Sequence, residues 1–74
     1  NKNYIVKGFL DNNKYIVGNR IKEIEVLNPK ILIRKNKKNI LVILANQRKE
    51  VNLELRKQLI NYKFNYKQIL HKKF

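Results

Sequence analysis

An α/β fold with a short, mostly parallel sheet and one long amphipathic helix is predicted by three features of the chain. The run Ile40-Leu41-Val42-Ile43-Leu44 is five branched or leucyl residues without a break, the composition of a strand covered on both faces. It leads through Ala45-Asn46 straight into a segment whose apolar residues recur at helical spacing. Upstream, a β-branched and aromatic stretch ends on turn-forming residues. A buried strand feeding an amphipathic helix is the start of a β-α unit, and this fixes the class.

Taken in order, Tyr4 to Leu10 reads as a strand, stopped by Asp11-Asn12-Asn13. Lys14 to Arg20 reads as a connector with at most one helical turn, because Gly18-Asn19 interrupts the short apolar group Tyr15-Ile16-Val17. Alternation of apolar and charged side chains from Ile21 onward fits a half-exposed strand near Ile24 to Leu27, with Glu23 and Glu25 on one face of it. Asn28-Pro29 closes that strand. Two readings then stand side by side: Pro29 opens a short helix through Arg34, or Ile31-Leu32-Ile33 pairs with Ile40 to Leu44 as a hairpin. After the central strand Asn46 is expected to cap a helix of residues 47–62, with Val51, Leu55, Leu59 and Tyr62 as its buried stripe and Leu53 and Ile60 widening it. Phe64 to Leu70 is expected to form a last edge strand, and His71-Lys72-Lys73-Phe74 to fray.

At 74 residues the chain is read as a single small domain, one whose folding buries only about 60% of its unfolded surface. With no Cys and a single His, neither a disulfide framework nor a thiolate zinc site is available, and no cofactor is implied. Lys and Arg number 18 against five Asp and Glu, and a net charge of +13 is expected to be relieved by a polyanion, an acidic membrane or a partner. No apolar run approaches the ~20 residues that span a bilayer, so a cytoplasmic or organelle-matrix location is expected. No acid/base pair is evident for catalysis.

The motifs Gly8-Phe9-Leu10-Asp11-Asn12-Asn13, Gly18-Asn19-Arg20-Ile21 and Ile24-Glu25-Val26-Leu27-Asn28-Pro29 occur in an order and spacing that resembles the nucleotide-sugar-binding Rossmann-like domain of sugar acyltransferases and polysaccharide-biosynthesis dehydratases. Ile40 to Asn46 looks like the next strand of that family, and Arg48-Lys49-Glu50-Val51 with Gln58-Leu59 like the following helix. Only the second half of such a unit is present, because no G-x-G-x-x-G occurs. The resemblance implies a partial three-layer Rossmann-like unit that binds a nucleotide or nucleotide sugar. It also implies that the Ile40 to Leu44 strand runs parallel to the strand of Val6 to Leu10. An uncovered sheet edge then calls for a second copy, a larger polypeptide or a partner chain.

Two residue sets follow as candidates. Asp11, Asn12 and Asn13, at the carboxyl end of a strand, are placed where Rossmann-like sites hold a ribose, while Asn46 and Arg48 lie where a helix N-terminus attracts phosphate. The alternative is a small basic RNA-binding protein. For that function Arg34, Lys35, Lys37 and Lys38 supply a basic loop, and Lys63, Tyr66 and Lys67, with Tyr62 and Phe64, alternate charge with rings suited to base stacking.

Overall fold

A computed structural model describes residues 5–72. It is a mixed α/β protein whose contacts divide it into two compact units, Asn1–Ile31 and Leu32–Phe74. The described part of the first unit holds β1 (Phe9–Leu10), β2 (Arg20–Ile21) and β3 (Ile24–Leu27). These form one sheet in the order β1-β3-β2, with β1 parallel and β2 antiparallel to β3. A 3₁₀ turn over Pro29–Leu32 follows, started by the Asn28 side chain, which accepts the Lys30 N–H at 2.9 Å. The short-helix reading is therefore the right one of the two, although the turn ends before Arg34, and no hairpin joins Ile31–Ile33 to the next strand.

The second unit is a β-α-β arrangement: β4 (Val42–Leu44), α1 (Lys49–Asn61) and β5 (Ile69–His71), with β4 and β5 parallel and Val42, Ile43 and Leu44 in register with Ile69, Leu70 and His71. Lys72 N–H extends the ladder to Leu44 C=O at 2.9 Å. Two expectations are corrected here. The parallel neighbour of β4 is β5, whereas β1 pairs in a different sheet. His71, read as part of a frayed tail, is the last residue of a paired strand. The first expected strand is also shorter than its composition suggested, since only Phe9–Leu10 pair, and Tyr4, Lys73 and Phe74 lie outside the described residues.

Helix α1 buries Asn52, Leu55 and Leu59, a stripe at spacings of three and four residues. Leu59 is fully buried, while Val51, Ile60 and Tyr62 are half-buried and Leu53 is exposed, so the stripe is narrower than expected and includes an amide. Its C-terminus is a Schellman motif: Lys63 N–H donates to Ile60 C=O and Phe64 N–H to Leu59 C=O, both at 3.0 Å. The motif needs a left-handed residue in the position usually held by Gly, and Lys63 takes it with φ 76°. Phe64, buried like Leu59, supplies the apolar contact that accompanies the motif. Beyond it Asn65 and Gln68 form a capping box, and Gln68 Nε2 also donates to the carbonyls of Lys37 and Ile40, pinning the basic loop to the turn before β5.

Candidate functional site

The second unit has a cleft of about 490 Å³ at the carboxyl ends of β4 and β5. Its lining is Asn46 and Gln47 from the β4–α1 loop, Lys49, Asn52 and Leu53 from the first turns of α1, and His71 and Lys72 from the end of β5. Among the described residues no carboxylate lines it. Clefts in this position are where parallel α/β sheets take their ligands, because the loops leaving the strands diverge there and the helix N-terminus points in.

Asn52 builds the cleft floor. Only 8% exposed, it accepts the Asn46 N–H through Oδ1 at 3.0 Å and donates from Nδ2 to the Asn46 C=O at 2.8 Å. One side chain thereby completes both backbone groups of a loop residue, much as a neighbouring strand would. Asn46 does not cap the helix directly. Its Oδ1 accepts the Arg48 N–H at 2.8 Å in an Asx turn, and Arg48, extended at φ −88° and ψ 117°, occupies the cap position without a side-chain capping bond. Sequence reasoning missed Asn52 because an amide inside an apolar helix stripe reads as a break in the pattern.

Asn46 thus lines the cleft, but Arg48 turns away from it. Arg48 Nε contacts Glu50 Oε1 at 2.8 Å, an exposed ion pair. A hydrogen bond from its own backbone N–H, and then the Arg48 side chain, hold the Glu50 carboxyl below the usual glutamate range against a small opposing desolvation. The anion already at this helix end is therefore a glutamate, and the cations that face the cleft are Lys49 and Lys72.

Asp11, Asn12 and Asn13 lie in the first unit. There the Asp11 N–H continues the β1–β3 ladder to Leu27 C=O at 3.0 Å, and its Oδ1 accepts the Asn13 N–H at 2.7 Å. Asn13 Oδ1 accepts the Tyr15 N–H at 3.0 Å, and its carbonyl receives Ile16 and Val17. Two successive Asx turns carry the chain out of β1 and into its helical turn. Glu23 and Glu25 do not share a strand face: Glu23 sits in the β2–β3 turn at φ 69°, and Glu25 is in β3.

The basic loop is partly self-satisfied. Lys37 Nζ donates to Ile33 C=O at 2.9 Å and Lys35 C=O at 3.3 Å and lies 5.7 Å from the centre of the Phe64 ring. Arg34, Lys35 and Lys38 are exposed, as are Lys63, Lys67 and Tyr66, whereas Phe64 is buried and Tyr62 is half-buried against Gln58, whose Nε2 donates to the Tyr62 hydroxyl at 2.8 Å. Among the described residues no cluster of His, Asp or Glu could hold a metal ion, and no helix is long and apolar enough to cross a membrane. Compared with known proteins, the chain matches no family model, no curated protein and no solved structure.

Proposed function

We propose that the chain is a nucleotide- or nucleotide-sugar-binding module of Rossmann-like type serving polysaccharide biosynthesis, and that the ligand's phosphates occupy the cleft of the second unit. The observation that carries the reading is the position and lining of that cleft: carboxyl ends of two parallel strands, a helix N-terminus, two lysines, an imidazole and three side-chain amides, with no carboxylate among the described residues. Lys49 and Lys72 neutralise phosphate charge, Asn46 and Gln47 offer amide donors, and Asn52 positions the loop without touching the ligand. A volume near 490 Å³ falls in the ~300–1,000 Å³ range of small-molecule sites, which suits a nucleotide more than a free phosphate. The choice of nucleotide sugar rests on the sequence resemblance.

The test is an amide-resolved NMR titration with uridine diphosphate, a uridine diphosphate sugar and pyrophosphate. Saturable shifts at Asn46, Lys49, Leu53 and His71, with the nucleotides binding more tightly than pyrophosphate, are expected. Replacing Lys49 and Lys72 together by Ala should weaken binding by about tenfold or more, the scale of two charge-assisted contacts. Absence of saturation at millimolar nucleotide, or equal affinity for pyrophosphate, would end the reading.

An assembly belongs to the same proposal. β4 has the composition of a central strand but among the described residues pairs on one side only, and its Ile43 is 56% exposed. A dimer or larger partner that covers this edge is expected. Sedimentation equilibrium showing a monomer at high concentration would remove that part.

A further inference from the structure

Tyr66 is an exposed aromatic side chain, 68% accessible, set in a tract of one charge sign. From Leu55 to Phe74 the chain carries no Asp or Glu but six Lys or Arg. The Arg56 guanidinium, on α1, lies over the Tyr66 ring at 5.1 Å from its centre. Glu54, the nearest acid in sequence, projects about 160° away from Arg56 around the helix at 100° per residue, so it does not neutralise this face. The backbone beneath the ring is fixed. Asn65 Oδ1 accepts the Lys67 N–H at 2.9 Å, and Gln68 Oε1 accepts the Asn65 N–H at 3.0 Å, which clamps the 3₁₀ turn on which Tyr66 stands.

Most of Tyr66 stays in water, and the contact made to its ring from α1 is a cation. One ring face is occupied by Arg56 and most of the residue remains open, so a second planar group can stack on it. Lys63 and Lys67, both exposed, flank the ring in sequence, and residues 32–74 carry twelve Lys or Arg against two Glu, a net +10. A planar, apolar-faced, polyanionic occupant is the one chemistry that matches both properties.

We propose that Tyr66 and Arg56 form a stacking platform for a base of single-stranded nucleic acid, whose phosphates are neutralised by Lys63 and Lys67. The site lies outside the cleft and does not depend on its ligand. Stacking makes it sequence-tolerant, and duplexes are poor ligands because their bases are already stacked. Arg56 contributes twice, holding the ring in place and adding its own charge.

The experiment must separate stacking from charge, because a protein of net +13 attracts any polyanion. Fluorescence anisotropy would compare a labelled oligothymidylate of about ten nucleotides, within the ~4–16 nucleotide sites of such modules, with inorganic polyphosphate of equal charge as competitor. The oligonucleotide is expected to bind about tenfold or more tighter than polyphosphate at the same salt, the scale of one stacked base. Tyr66→Ser should erase that preference, Tyr66→Phe should keep it, and Arg56→Gln should reduce it. Binding of the oligonucleotide should also quench the tyrosine emission in a form that Tyr66→Phe removes. Equal affinity for the two polyanions, tighter binding to a duplex, or a preference unaffected by Tyr66→Ser would each overturn the platform. Because Tyr66 is exposed, its variants keep the fold, and an unchanged circular dichroism spectrum verifies this.

Discussion

Residues 5–31 hold their described shape through a three-stranded sheet and turns in which Asp and Asn side chains collect N–H groups, whereas residues 32–72 add to such turns a larger set of buried apolar side chains beside α1. Of the nine buried apolar side chains among the described residues, seven belong to the second unit and two, Val26 and Pro29, to the first. Charge divides the same way: six Lys or Arg against three acids give +3 in residues 1–31, against +10 in residues 32–74. The difference teaches where function is to be sought. Both regions spend polar side chains on their own backbone, as Asp11 and Asn13 do in the first and Asn46 and Asn52 in the second, but the region with the larger core also holds a cleft and a concentrated charge.

The sharpest way to break this contrast is to remove the core of one unit. Leu59→Ala deletes a fully buried side chain, and large-to-small changes at such sites cost about 2–5 kcal/mol. A chain of 74 residues has about 4–11 kcal/mol of total stability at ordinary values per residue. Urea denaturation should therefore show loss of a large share of it, with hydrogen-exchange protection collapsing in α1. Surviving protection at the Gly18 and Val26 amides, which bond to Val26 C=O and Asn19 C=O at 2.8 Å, would support two separately held units. Simultaneous loss would mean that the hairpin depends on the second core and that the contrast fails.

Asn52 tests whether the cleft loop depends on one amide. Asn52→Leu keeps an apolar volume near the original but orphans the N–H and C=O of Asn46, and unsatisfied buried groups cost about 1–3 kcal/mol. The expected result is lower stability together with broadened or shifted Asn46, Gln47 and Arg48 amide signals. A loop whose spectrum stays intact would be held by something other than Asn52.

How far the sequence foretold these arrangements follows the same divide. Strand β3 was legible because alternation reports one-sided burial, and β4 and α1 because an apolar run and a 3.6-residue period report burial directly; both have their ends within a few residues of those expected. Turns were legible only where they used their preferred residues, as at Asp11-Asn12-Asn13 and Asn28-Pro29. Lys22, Glu23 and Lys63 adopt positive φ without being Gly or Asn, so nothing local announced the tight β2–β3 turn or the Schellman end. The candidate site was half legible: Asn46 was singled out as a helix cap and instead lines the cleft from an Asx turn one step earlier, while His71 and Lys72 entered the cleft through a strand pairing with β4 that spans many residues and that charge-rich letters concealed. Arg48 was lost to Glu50, a competition between near neighbours that composition does not rank.

Those unannounced turns give a pair of stabilising substitutions, one in each unit. Lys22 and Glu23, at φ 50° and 69°, form a two-residue hairpin turn between Ile21 and Ile24 in the geometry that favours Asn-Gly. Left-handed conformations cost ordinary residues about 1–2 kcal/mol, offset in part by the chain entropy that Gly adds to the unfolded state. Changing Lys22 to Asn and Glu23 to Gly should stabilise the hairpin by about 1 kcal/mol, and Lys63→Gly should stabilise the end of α1 by somewhat less than ~1 kcal/mol. Exchange protection should rise at Gly18 and Val26 in the first variant and at Lys63 and Phe64 in the second. A uniform rise across the chain in either would show one cooperative unit.

The smallest effect concerns Glu50, through which the helix N-terminus of the second unit depends on pH. Its carboxyl is held below the ordinary glutamate value of 4.5 by its own backbone N–H first and by Arg48 second. A carboxylate with a depressed folded-state pKa contributes stability that is complete above its unfolded value and is lost as pH falls through the folded one. Acidification from about pH 5 downward should therefore loosen the first turn of α1, releasing Arg48 from Glu50. Because both side chains are mostly in water, the effect on global stability should be slight and should shrink further in salt. The measurement is an NMR pH titration of the Glu50 side-chain carboxyl carbon alongside the Glu50 and Val51 amides. Glu50→Gln should remove the acid-dependent step at those amides. It should also leave the hairpin of the first unit unchanged, where Asp11 forms its own separate turn. A Glu50 titration at or above the ordinary value would show that neither its backbone N–H nor Arg48 favours the ionised carboxyl, and the acid-dependent step would then have another origin.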